Sequence, residues 1–202
     1  MSETTLGPDG KHRCRWSDTA PEFIDYHDNE WGFPVGDDHK LFEKICLEGF
    51  QSGLSWRTIL AKRENFRAAF HHFDYDKVAQ FTDADRDRLL LDPGIIRHRG
   101  KIEATINNAK RAQELVKREG SLAAFIWRYE AREDELAAPQ TLTTSAASIR
   151  LSKDLKKLGW KFVGPTTMFA LMQAMGLIND HVEGCAIREK VEEARKAFKR
   201  PE

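Results

Sequence analysis

The sequence predicts an all-α fold, and three observations carry that expectation. Apolar residues recur every three or four positions through most of the chain. Ser, Thr or Asp stands before these stretches and Gly or Pro after them, as helix starts and stops require. No segment reads convincingly as a strand, and there is no repeat or low-complexity run. At 202 residues, 41% of them hydrophobic, the chain can bury a real core, as one domain or as two small lobes sharing one.

The elements follow in order. Asp37 and Asp38 can cap a helix whose apolar stripe is Leu41, Phe42, Ile45 and Cys46. Ser55 can cap the next, from Trp56 towards Lys62. Thr82 with Asp85 three residues on has the form of a capping box, and Asp92-Pro93-Gly94 ends that segment. Ile102, Ile106, Ala109, Ala112 and Val116 mark one face of a long helix closed by Gly120. Ser121 opens another, with Leu122, Phe125, Ile126 and Tyr129 turned inward. Residues 134–148, rich in Ala, Thr and Ser, read as the longest loop. Leu151, Leu155 and Leu158 form a short helix stopped by Gly159, and the connector Trp160 to Gly164 leads to a helix starting on Pro165, where the missing N–H costs nothing. Met168, Phe169, Leu171, Met172 and Met175 belong to that helix, and Gly176 ends it. In the charged tail Ile187, Val191, Ala194 and Phe198 recur at helical spacing; the tail either packs on the domain or frays.

Net charge is zero, with 32 basic and 32 acidic residues, which counts slightly against a nucleic-acid partner. The distribution counts the other way. Acids dominate from Asp18 to Glu48, where Lys40 and Lys44 are the only Lys or Arg, and bases dominate from Arg97 to Arg118 and again over Arg150, Lys153, Lys156, Lys157 and Lys161. Solvated helix faces are the plainer explanation of such groups. No apolar run reaches membrane-spanning length, and Met1 to Gly7 lacks the form of a signal peptide, so a soluble cytoplasmic protein without a membrane partner is expected. Three cysteines, Cys14, Cys46 and Cys185, do not suggest a disulfide framework.

Four constellations can carry chemistry. His181 and Cys185, four apart, would face one way in a helical turn and suit zinc; Cys14 and His27 could complete a tetrahedral set joining the two ends of the chain. A buried Cys185 thiol with a core or surface His181 is the alternative, and His12 competes as a ligand. Glu48 falls on the apolar face of its own helix, where a carboxylate must be paired, hydrogen-bonded or functional. Behind it, Gly49 and Gly53 permit tight turns that would expose Leu54 as a wedge. Trp16, Phe23, Tyr26, Trp31 and Trp56 are core aromatics or the walls of a stacking slot, and a slot with one carboxylate is what a flipped purine needs. Finally, the connector ends in Gly164 at a helix N-terminus, where free N–H groups favour phosphate; an ordinary helical hairpin explains the pattern equally well.

Together these residues resemble the 3-methyladenine DNA glycosylase I family, within the helix-hairpin-helix glycosylase superfamily. The resemblance rests on Tyr26-His27-Asp28-Asn29-Glu30-Trp31-Gly32, Leu41-Phe42-Glu43, Cys46-Leu47-Glu48-Gly49, Gly53-Leu54-Ser55-Trp56, Lys62-Arg63-Glu64-Asn65, the run from Gly94 to Ile102, Phe162-Val163-Gly164 and Asn179-Asp180-His181-Val182, all in the family's order. It spans Arg13 to Cys185. It implies an all-α, bilobal helical bundle over residues 13–185, its termini joined by a structural zinc on Cys14, His27, His181 and Cys185; outside the match, residues 1–12 read as a flexible extension and 186–202 as a charged helix.

The resemblance also implies the activity: base-excision repair by hydrolysis of the N-glycosidic bond of 3-methyladenine in alkylated double-stranded DNA, with 3-methylguanine as a second candidate substrate. The base pocket falls on Glu48, Tyr26, Trp56, Trp16 and Phe23, with Glu48 and Tyr26 at the catalytic centre. Leu54, on the turn at Gly53, falls where the family fills the duplex gap, and Lys161, Val163 and Gly164 where it holds phosphate. An adenine methylated at N3 already has a weakened glycosidic bond, so the protein's tasks are to flip and recognise it. No Schiff-base lysine is evident, so no strand cleavage is expected; Asp180, beside His181, reads as structural. Phe23 stands where better-known members carry a tyrosine, and Pro165 where a threonine is usual. A monomer is expected. The rivals are a binding module that senses damage without cutting and a nucleosidase acting on free nucleotides.

Overall fold

The computed structural model describes residues 4–202, and the fold is mostly helical. Helices α1 (Pro21–Asn29), α2 (Asp38–Gln51), α3 (Trp56–Ala61), α4 (Arg63–Ala69), α5 (Tyr75–Val78) and α6 (Asp83–Leu91) lead to the long α7 (Arg99–Glu119). Then come α8 (Leu122–Trp127), α9 (Ala146–Lys157), α10 (Pro165–Ala174) and α11 (Arg188–Ala197). The expected caps form: the Asp37 side chain accepts from Lys40 N–H, Ser55 from Thr58, and Thr82 and Asp85 close a capping box. Asp38 then caps a different helix, its two oxygens accepting from Leu122 and Ala123 N–H at 3.0 and 2.8 Å.

One expectation is corrected. A small antiparallel ribbon pairs β1 (Thr4–Leu6) with β2 (His12–Cys14), Thr4 opposite Cys14. Three-residue strands are too short for period-2 alternation to register, although Gly7-Pro8-Asp9-Gly10 between them is a turn signal. Of the extension 1–12, residues 1–3 lie outside the described residues, as does that part of the Met1 to Gly7 reading. Leu6 and His12 face each other in the ribbon. The loop after α8 also ends earlier than expected, because Ser145 and Ser148 form a capping box and start α9 at Ala146.

Helix α2 runs through the middle, burying Leu41, Phe42, Ile45, Leu47 and Phe50 among α7, α8 and α10. Its surroundings form the main core. A smaller cluster gathers Cys14, Tyr26, Trp31, Val182, Cys185, Ile187 and Val191, bringing the two ends of the chain together. Trp56 and Met175 pack against both clusters. The tail does not fray: Val191 is fully buried, Phe198 packs on Trp127 at 4.6 Å, and Arg195 and Arg200 both bind Glu130. Gly176 is a required glycine, since it has φ +78° and a Cβ there would meet Pro34 N at 2.5 Å.

Candidate active site and metal group

A cavity of about 630 Å³ opens where α1, α2 and α3 meet the loop before α9. Trp16, Phe23, Tyr26 and Trp56 wall it and Glu48 reaches its floor. Trp16 sits on a short 3-10 turn (Arg15–Asp18) after β2, edge-on to Phe23 at 5.7 Å and to Trp31 at 5.1 Å. Tyr26 and Trp56 lie 5.4 Å apart. The five residues expected from sequence to form a base slot thus share one cavity. The buried indole N–H of Trp56 has no acceptor among the described residues.

Glu48 is buried, as its position on the apolar face requires, and its partner is local. Lys44, one turn back on α2, places Nζ 2.8 Å from Glu48 Oε1. The same ammonium donates to the Tyr26 hydroxyl at 2.8 Å and lies 3.4 Å from the centre of the Trp56 ring. Burial pulls Lys44 below the ordinary lysine range, opposed by the Glu48 charge. Burial, then the charge on Glu48, pushes the Tyr26 phenol well above its ordinary range, so it is a neutral hydroxyl. Sequence reasoning missed Lys44 as a site residue. The one local signal was the i,i+4 spacing of Lys44 and Glu48 on one helix.

Asp180 stands behind the cavity. Its carboxylate accepts from the Gln140 backbone N–H at 2.9 Å and from Gln173 Nε2 at 2.7 Å, and both glutamines line the cavity. Neither glutamine carries a sequence signal, because a loop and the far end of α10 deliver them. Leu54 is half-exposed on the turn after α2, with Gly53 at φ +77° and open space around it. Lys101, counted with a basic surface group, is buried instead: its Nζ donates to the carbonyls of Phe50 and Ser52 at 2.8 and 2.5 Å and so fixes that turn. In the connector Lys161 is exposed, Val163 is buried with its carbonyl accepting from Ser152, and Gly164 is the N-cap of α10. Asn108 clamps Lys161 at both its N–H and its carbonyl, at 2.8 and 2.9 Å. The Leu54 turn and the connector are thereby both pinned to α7.

Cys14, His27, His181 and Cys185 form a second buried group, their ligand atoms all within 4.8 Å of one another. Cys185 Sγ lies 3.5 Å from both His27 Nε2 and His181 Nδ1, and Cys14 Sγ lies 3.7 Å from His181 Nδ1. These separations fit a tetrahedral ion, for which bonds of roughly 2.0 Å to nitrogen and 2.3 Å to sulfur leave ligand atoms about 3.5 Å apart. The other ring nitrogens are engaged: His27 Nδ1 is 2.8 Å from Asp28, which Arg13 grips in turn, and His181 Nε2 is 2.9 Å from the Trp31 carbonyl. The Cys14 sulfhydryl, then the two imidazoles, hold Cys185 far below the ordinary thiol range, while Cys14 is pushed up by Cys185. Two sulfurs so close share negative charge that a dication would neutralise. The geometry corrects one detail: residues 181–185 form a turn with Gly184 at φ +80°, not a helix. His12 stays outside the group, since it is exposed and its Nδ1 lies 3.3 Å from the Thr4 hydroxyl.

A helical fold with an aromatic-walled cavity that holds one buried carboxylate, beside a turn exposing Leu54, has the shape and chemistry to admit a flat, polar ring. The chain belongs to the methyladenine glycosylase family, whose model matches residues 16–189. It is similar to the DNA-3-methyladenine glycosylase 1 of Escherichia coli K12, 51% identical over 177 residues, covering 86% of this chain and 95% of that enzyme. The DNA-3-methyladenine glycosylase of Haemophilus influenzae is 46% identical over 86% of this chain and 96% of its own length. Among solved structures, a 3-methyladenine DNA glycosylase I matches with a TM-score of 0.81 at 48% identity, covering 86% of this chain and 98% of that one. A Staphylococcus aureus enzyme, solved for its recognition of 3-methyladenine, matches with a TM-score of 0.80 at 38% identity over 84% and 93%.

Proposed function

We propose that this protein is a monofunctional base-excision repair glycosylase that hydrolyses the N-glycosidic bond of 3-methyladenine in alkylated double-stranded DNA and releases the free base. The observation that carries this reading is the buried Glu48 carboxylate at the floor of an aromatic cavity, beside a wedge on a solvent-facing turn. In this reading Leu54 fills the gap left by the flipped nucleotide. Tyr26 and Trp56 stack on the base, with Trp16 and Phe23 as further walls. Glu48 accepts from the purine edge and favours the cationic alkylated base over neutral adenine. Because that base leaves neutral, no strong acid is needed, and water attacks C1′ as the sugar becomes oxocarbenium-like. Lys161 and the backbone of Val163 and Gly164 hold phosphate at the start of α10, in the manner of a helix-hairpin-helix.

The ion that Cys14, His27, His181 and Cys185 fit best is zinc, given two thiolates and two imidazoles at tetrahedral spacing. Its part is structural, tying β2 and α1 to the turn before α11. The reading takes the protein as a cytoplasmic monomer; no helix among the described residues is long and apolar enough to cross a membrane.

A zinc-stabilised damage sensor would keep the connector and the metal but need no buried Glu48, and a nucleosidase would need neither wedge nor connector. Methylated duplex DNA is incubated with the protein and the supernatant chromatographed. Free 3-methyladenine with intact strands is expected; retention of DNA without base release would leave a sensor, and 3-methylguanine release is read in the same trace.

A further inference from the structure

The Lys44 ammonium is spent in full on the base site. It has three N–H donors and three acceptors: Glu48 Oε1 at 2.8 Å, the Tyr26 hydroxyl at 2.8 Å and the Trp56 ring face at 3.4 Å. It approaches from behind. Lys44 lines a separate cavity of about 390 Å³, and Tyr26 and Trp56 are the wall between that cavity and the base cavity. An ammonium only donates, so the Tyr26 oxygen must accept from it. The phenolic proton then points elsewhere, and it has no acceptor among the described residues. A free tyrosine hydroxyl would rotate and serve as donor or acceptor; this one is restricted to donating. Glu48, ion-paired through Oε1, is likewise restricted to accepting.

Resting on the glycosylase reading above, we propose that Lys44 is a specificity-determining positioning residue. It fixes Glu48 as acceptor and Tyr26 as donor, so that the slot takes a purine edge bearing an amino group beside a bare ring nitrogen. A base with a carbonyl in place of the amino group meets the Glu48 oxygen with its own lone pairs and is rejected. Without the ammonium both constraints relax together. The hydroxyl regains its rotation, and the carboxylate loses the donor that fixes Oε1 in place.

The test measures the affinity of free 3-methyladenine and of free 3-methylhypoxanthine, its 6-oxo analogue, by quenching of tryptophan fluorescence. The proteins are the parent, K44M, K44R, Y26F and E48Q, each checked for folding by circular dichroism. The parent prefers the amino base. K44M is expected to lower that preference by about tenfold or more, the size of one charged hydrogen bond, and K44R to restore most of it. Equal weakening of both ligands in K44M, leaving the preference intact, would mean Lys44 only supports the wall and would overturn the proposal. Should K44M fail to fold, Y26F carries the test, because losing the fixed donor must also erode the preference; an unchanged ratio overturns it. E48Q separates the two levels. If E48Q binds both bases like the parent, the base-site reading itself fails; if E48Q loses affinity while K44M keeps the ratio, only the role of Lys44 fails.

Discussion

Tyr26 and His27 are consecutive residues of α1, and their side chains part: Tyr26 reaches Lys44 at 2.8 Å in the wall of the base cavity, while His27 Nε2 reaches Cys185 Sγ at 3.5 Å in the Cys2His2 group. One turn of helix therefore joins the metal group to the slot. On the zinc reading proposed above, replacing Cys185 with Ser should abolish zinc binding and lower the melting temperature by several degrees or more. Affinity for free 3-methyladenine should fall with them, because α1 loses its anchor. Retained metal and an unchanged melting temperature would refute the clamp.

Leu54 is half-exposed on the turn at Gly53 and belongs to neither core cluster. L54A should therefore leave stability and free-base affinity as they are. Excision from duplex DNA should slow by about tenfold, since the cost of flipping, a few kcal/mol, is no longer partly offset. Comparing duplex with single-stranded methylated DNA isolates the effect: the defect should shrink on the single strand.

Val191 is fully buried in the small cluster that also holds Cys14 and Cys185. V191A should cost about 2 kcal/mol by urea denaturation. A change within error would show that the tail contributes no packing.

Glu135 fastens the long loop to α9 through Arg150. The Arg150 guanidinium first, with the Arg132 backbone N–H, holds its carboxyl down at about 2, below the usual carboxylate range. A depressed folded-state value means the contribution is complete above the unfolded value near ~4.3 and fades as pH falls through about 2. The stability difference between parent and E135Q should thus be constant from pH 7 to 5 and vanish towards pH 2. A difference that persists at pH 2 would contradict the pairing.

Much of this was legible in the sequence, for reasons tied to particular residues. Helices with a regular apolar face and a glycine stop, such as the long one closed by Gly120, announce themselves because their signals are local. The Cys2His2 group could be suggested from His181 and Cys185 but not closed, since His12 and His27 are equivalent until the ribbon of β2 turns one outward. Glu48 stood out as an acid on an apolar face. Lys44 did not, because a lysine among acids reads as a surface charge until α2 is seen to be buried from Lys44 to Phe50. Lys101 misled in the same way. Gln140 and Gln173 had no signal at all, since Gln140 reaches Asp180 from a loop forty residues away and Gln173 joins it there from the end of α10.

The most direct test of the central claim is single-turnover release of 3-methyladenine from methylated duplex DNA by the parent and by E48Q. The parent should release the free base and leave the strands uncut. E48Q, folded as judged by circular dichroism, should release it about 10- to 100-fold more slowly, the range for losing a charged hydrogen bond to the base. Release by E48Q at the parent rate would contradict the account.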